Sequence, residues 1–151
     1  MEIDTFHDNE ILSGISILAV LRYVNCMELS KCMLVEPLLS YSRVVSALKR
    51  SNSSVKSIED LILKESIVFA NFSERFHERA LLSMNSILLF EKLGLLKLSN
   101  DGVRFSGGNF DFFNPSLGEK AKTRIAASQK LAEILVKGDA SDFYLSLRIE
   151  I

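Results

Sequence analysis

Few residues in this chain have the types and spacing to do chemistry. His77 stands among Glu74, Arg75, Glu78 and Arg79. A histidine beside a carboxylate can serve as a general base, but it needs a nucleophile or substrate within hydrogen-bond reach. The sequence marks no such nucleophile. The alternation of acids and arginines over two turns reads instead as a ladder of helical ion pairs. Cys26 and Cys32 lie six apart in an apolar stretch, too few for a disulfide scaffold, and read as two buried free thiols. A zinc site needs more ligands, and His7 and His77 sit in no ligand spacing. Glu59 and Asp60 fall at a helix start, where the helix dipole accounts for them. There is no G-x-x-x-x-G-K-[ST], no H-E-x-x-H and no G-x-S-x-G. Gly107-Gly108 lacks the helix and lysine of a phosphate cradle. The expectation is a chain with no catalytic residues, no metal and no cofactor.

Binding is the other chemistry open to it. Lys and Arg number 18 against 19 Asp and Glu in 151 residues, a net charge of −1. That excludes generic affinity for nucleic acid, which needs a surplus of cations. One stretch departs from the balance: Glu119 to Lys130 carries Lys120, Lys122, Arg124 and Lys130 against a single acid. These four, with Lys97 and Arg104, are the candidate nucleic-acid contacts. Apolar residues make up 48% of the chain, and with so little net charge such a composition points to a protein partner. Disorder is excluded. The uncharged run from Ile11 to Leu21 is too short to span a bilayer. The acidic start MEIDTFHDNE is no secretory signal, so the expected compartment is the cytoplasm.

The elements that must position these residues follow from apolar spacing. Asp8 or Asn9 caps a first helix running to about Val24, with Ile11, Ile15 and Leu18 on a face widened by Ile17, Val20 and Leu21. Pro37 biases Glu36 toward an extended conformation. Cys32 to Val35 is therefore expected to be extended or irregular, with a helix from Pro37 to Arg50. Ser51 to Lys56 is a loop, and Ser57 to Asp60 resembles a capping box. A helix carrying Ile67, Phe69, Phe72 and Phe76 follows, those side chains being core. Another runs from Ala80 to Leu93 and stops at Gly94. Leu96 to Phe105 alternates around Asn100-Asp101-Gly102, the pattern of a β-hairpin. Phe110, Phe112 and Phe113 anchor the next loop. A long helix over about 116–137 turns Ala121, Ile125, Ser128, Leu131, Ala132 and Leu135 inward and its cations outward. A tail over 138–151 holds a short helix with Phe143, Tyr144 and Leu147, then an alternating, strand-like ending to Ile151.

The fold class is thus mostly α with a small β-hairpin, in a single domain 1–151. Residues 37–106 form a winged-helix-like core flanked by N- and C-terminal helices. In DNA-binding winged helices the helix before the hairpin enters the major groove and offers cations and amides to bases. Here that helix reads ALLSMNSILLFEKL, with only Asn85 and Lys92 suited to the task. The shape suggests DNA and the chemistry suggests protein.

Four segments together resemble one family. They are DNEILSGISILAVLRYV, then CMLVEPLLSYSRVVSALK, then ALLSMNSILLFEKLGLLKLSNDGVRF, and the ending QKLAEILVKGDASDFYLSLRIEI. Their order resembles the middle-component subunits of bacterial three-component ABC-ATPase systems, such as the small subunits of Lamassu-type defence. The family's Leu-Pro-Leu-Leu is here Glu36-Pro37-Leu38-Leu39. The resemblance implies an accessory adaptor without enzymatic activity. Its partners would be an SMC- or Rad50-like ABC ATPase and an effector, often a nuclease, with DNA reached through the complex. Two partner surfaces are expected. One is N-terminal, with Ile11, Ile15, Leu18 and Arg22. The other is C-terminal, with Phe143, Tyr144, Leu147, Ile149 and Ile151, whose strand would add to a partner's sheet or to the chain's own wing. The alternative is a stand-alone winged-helix transcriptional regulator contacting DNA through Lys97 and Arg104.

Overall fold

Long apolar stretches place the first helix at the centre of the molecule. The computed structural model describes residues 2–50 and 52–151, with side chains from Asn9 onward. Helix α1 (Glu2–Val24) starts earlier than the expected cap at Asp8 or Asn9, so Asn9 lies within it. From Ile17 to Leu21 every residue is fully buried. A helix apolar on all sides must be enclosed on all sides, and α1 packs on α7 (Glu119–Val136), α6 (Phe72–Lys92) and α2 (Leu29–Leu39). It ends at Asn25, whose backbone is left-handed with φ 70° and whose N–H reaches the Leu21 carbonyl at 2.7 Å. Asparagine is among the few residues that accept this conformation.

The chain then forms β1 (Cys26–Met27) and enters α2 directly. This overturns the expectation of an extended Cys32 to Val35 and of a helix starting at Pro37. Cys32, Leu34, Val35, Leu38 and Leu39 are all buried on α2. Enclosing that apolar surface outweighs one missing backbone donor near the helix end, where Pro37 stands. The chain breaks at Ser40 and Tyr41, and α3 (Ser42–Lys49) follows as a separate helix. The capping expectation at Ser57 holds: its Oγ accepts from Asp60 N at 3.1 Å, and Asp60 Oδ2 accepts from Lys56 N at 3.0 Å. Helices α4 (Ile58–Lys64) and α5 (Ser66–Phe69) lead into α6. Ile67, expected in the core, is exposed, while Phe72 and Phe76 are buried.

The hairpin of β2 (Leu96–Ser99) and β3 (Gly102–Phe105) is where the alternation puts it. It gains a third strand that the sequence reading did not foresee. β1 pairs antiparallel with β3, giving the order β1-β3-β2. Gly102 permits this, since a Cβ there would lie 2.5 Å from the Met27 carbonyl oxygen. The unit expected from residue 37 is therefore joined by α1 and β1. Beyond the hairpin Phe112 is buried, but Phe113 is exposed and anchors nothing. A single 3-10 turn at Pro115–Leu117 precedes α7, and α8 (Ala140–Ser146) closes the chain. The expected C-terminal strand does not form. Arg148 adopts φ 57°, and Arg148 N and Ile149 N return to the Leu145 and Tyr144 carbonyls. This pair of bonds caps α8 and turns the chain, a Schellman arrangement. The architecture is mostly helical with one small antiparallel sheet.

Candidate functional site

Burial redistributes the residues singled out from sequence. In the N-terminal set Ile15 and Leu18 belong to the core, and only Ile11 is substantially exposed. Arg22 is half-buried, its guanidinium 4.4 Å from the Phe112 ring centre and 4.7 Å from that of Tyr23. In the C-terminal set Phe143, Leu147 and Ile149 are buried, and Tyr144 donates to the Ser30 carbonyl at 2.7 Å. Ile151 alone is fully exposed. Seven of these nine residues are buried or half-buried in the chain's own packing, and only Ile11 and Ile151 stand exposed, so the two expected partner faces do not form as contiguous surfaces. The tail after α8 lies on the start of α6: Glu150 N donates to Ser73 Oγ at 2.9 Å, and His77 Nε2 bonds the Glu150 carbonyl. It pairs with neither the wing nor an open edge.

That docking also decides the chemistry of His77. A groove of about 870 Å³ separates α4 and α5 from the tail, with Ser73, Glu74, His77 and Arg148 on its walls. Ser73 and His77 both spend hydrogen bonds on the Glu150 backbone, and no contact joins one to the other among the described residues. Arg79 leaves the expected ladder altogether. It turns inward, and its Nε donates to Glu36 Oε2 at 2.7 Å.

Glu36 is the centre of a buried ionic triad. Its side chain is 1% exposed, and Arg124 Nη1 donates to its second oxygen at 2.7 Å. Arg124 Nη1 also reaches Ser16 Oγ at 3.2 Å, and Ser16 in turn bonds the Leu12 carbonyl. The network ties α1, α2, α6 and α7 together and carries a net single positive charge. Arg124, expected on the solvated face of α7, is thus a core residue. Lys120 and Lys122 remain exposed, Lys122 within 3.5 Å of Glu119, and Lys130 is half-buried. On the hairpin Lys97 and Arg104 are exposed and stand directly opposite each other across β2 and β3.

Two features were not anticipated. The first is the triad. Its signal was Glu36, the one charge in CMLVEPLL. The second is the outer face of α6. Leu81 is 72% exposed and Leu88 43%, with Asn85 between them and Leu93 59% exposed at the helix end. Leu81, Asn85 and Leu88 follow the i, i+4, i+7 spacing of one stripe. Cys32 is the quieter finding: burial, then the neighbouring Cys26 and Glu28, push its thiol up to about 12, so it is no thiolate nucleophile. Tyr144, pushed up to about 12 chiefly by burial, stays protonated on its Ser30 bond. Among the described residues no three His, Cys, Asp or Glu side chains converge to hold a metal ion, and no helix is long and apolar enough to cross a membrane.

The arrangement is therefore one of surfaces: an apolar stripe on α6, a cationic pair on the β2–β3 hairpin, and a basic start to α7. No protein-family model matches this chain, and no curated protein and no solved structure matches it either.

Proposed function

We propose that this chain is a non-enzymatic adaptor of the cytoplasm, bridging an SMC- or Rad50-like ABC ATPase and an effector nuclease in anti-phage or anti-plasmid defence. The observation that carries this reading is the outward face of α6. On this reading α6, the helix before the hairpin, is the counterpart of a winged helix's recognition helix. That position presents Leu81, Asn85 and Leu88. Leucines there cannot read bases or hold phosphates, but they can seat in an apolar groove of a protein. The segments quoted above supply the kind of partner, through their resemblance to middle-component subunits. Co-expression with such an ATPase and nuclease should yield a complex of defined mass. Leu81→Asp with Leu88→Asp should abolish it while leaving the helical circular dichroism intact. A complex unaffected by the double variant, or none with the native chain, overturns the reading.

A second reading rests on the wing. Like charges directly opposite on adjacent strands are destabilising, yet Lys97 and Arg104 face each other in the open. A DNA phosphate between them would relieve that repulsion. This reading requires salt-sensitive duplex binding by the chain alone, weakened by Lys97→Gln.

A further inference from the structure

A small cleft lies between α3 and α7, on the far side of the molecule's ionic triad. Its volume is about 220 Å³. That is below the range of drug-sized ligand pockets, ~300–1,000 Å³, and suits a compact polyatomic ion. Helix α3 contributes Ser42, Ser46 and Lys49, which share a face by their spacing of four and three. Helix α7 contributes Lys120, Thr123 and Arg124, likewise one face. No acid lines the cleft. Two neighbouring carboxylates among the described residues have partners: Glu36 holds Arg79 and Arg124, and Glu119 holds Lys122.

The key group is Arg124. Its side chain is 9% exposed, and its Nη1 is spent on Glu36 and Ser16. Its Nε and Nη2 make no hydrogen bond among the described residues, and neither is among the fully buried unpaired atoms. Each therefore keeps some exposure, and Arg124 lines the cleft. Lys49 and Lys120 make no ion pair among the described residues, and the Ser42 and Ser46 hydroxyls make no hydrogen bond there. A guanidinium edge fixed from behind, two ammonium groups and two free hydroxyls in an acid-free cleft match the acceptor oxygens of a phosphate. We propose that the α3–α7 cleft binds a single phosphate group, held by the free edge of Arg124 with Lys49, Lys120, Ser42 and Ser46.

The phosphate could come from a free ion or from a nucleic-acid backbone, and titration separates the sources. Calorimetry of the intact chain with inorganic phosphate, at matched ionic strength in chloride, should show saturable binding. Lys49→Gln and Lys120→Gln, both at exposed positions, should each weaken it about tenfold, as for one lost charge-assisted hydrogen bond. Lys97→Gln should leave it unchanged. A labelled DNA duplex is the second arm. Duplex binding that is displaced by phosphate and lost in the same two variants assigns the group to a backbone. Phosphate binding that the duplex does not compete with assigns it to a free ion. Failure of both ligands to bind, or equal binding by the native chain and Lys49→Gln/Lys120→Gln, overturns the proposal. The complex proposed to form through Leu81 and Leu88 should be unaffected by these two substitutions, so the two readings fail separately.

Discussion

The two sides of α6 each mix polar and apolar groups. Inward, Arg79 meets the buried Glu36, and Ser83 and Ser86 are fully enclosed. Outward, Leu81 and Leu88 stand in solvent. Arg79 and Leu81 are two residues apart, so about 200° separates them around the helix. The inner serines satisfy themselves, Ser83 Oγ on the Arg79 carbonyl at 3.0 Å and Ser86 Oγ on the Leu82 carbonyl at 2.7 Å. Their small size lets α1 lie close. The comparison teaches that polarity on this helix does not sort inside from outside. The inner face combines the large Phe72, Phe76, Ile87 and Phe90 with two small serines, and the outer face exposes Leu81 and Leu88.

The inner side can be broken most sharply at Glu36. Glu36→Ala leaves the Arg79 and Arg124 guanidinia without their carboxylate. Removing one partner from a buried pair costs about 3–5 kcal/mol, a fall in melting temperature of roughly 10 °C for a domain of this length. A thermal melt checks it. A loss below about 1 kcal/mol would mean that water reaches the triad. The sharper form replaces all three charges, Glu36→Leu, Arg79→Leu and Arg124→Met. Apolar substitutes of similar volume should recover most of the loss, because the triad's own desolvation is removed with it.

The contact beneath α6 gives the next effect. An added Cβ at Gly14 would fall 2.2 Å from Cε1 of Phe90, a ring that is 2% exposed. Gly14→Ala should therefore destabilise by about 1–3 kcal/mol, the range for overpacking, read from the urea midpoint. Gly14→Ala with Phe90→Leu should lose less than the two single changes summed, since the smaller side chain frees the space that the methyl needs.

Much of this was legible in the sequence, and the failures share a cause. The hairpin, the C-terminal ends of α6 and α7 and the inner face of α7 follow from period and turn residues, which are local signals. The helix expected to start at Ala80 is instead continuous with the one expected to carry Phe72 and Phe76, as α6 runs from Phe72 to Lys92. The helix through Cys32 to Val35 was missed because Pro37 is also a local signal, and tertiary burial overrode it. β1 was missed because two residues carry no period; only its pairing to β3 defines it. Arg124 was placed outside with Lys120 and Lys122 because a cation's position on a helix does not reveal a carboxylate 88 residues away. The partner residues failed for the same reason: Phe143, Leu147 and Ile149 are apolar enough to serve an interface, but the chain's own α8 and tail use them first.

The outer side of α6 should yield the smallest change in stability. Leu81→Ser removes a side chain that is largely in water and should move the unfolding free energy by no more than about 0.5 kcal/mol. Leu88→Ser, at a half-covered position, should move it by no more than about 1 kcal/mol. Leu88, the less exposed, should show the larger of the two. Denaturant melts of the isolated chain measure this without any partner. If either change instead approached the effect of Glu36→Ala, the stripe would be part of the chain's own packing and the contrast between the two faces would vanish. If both are neutral, nothing in this fold requires leucine at those positions. Their apolar surface, on the same stripe as Asn85, is then free for the partner contact proposed above.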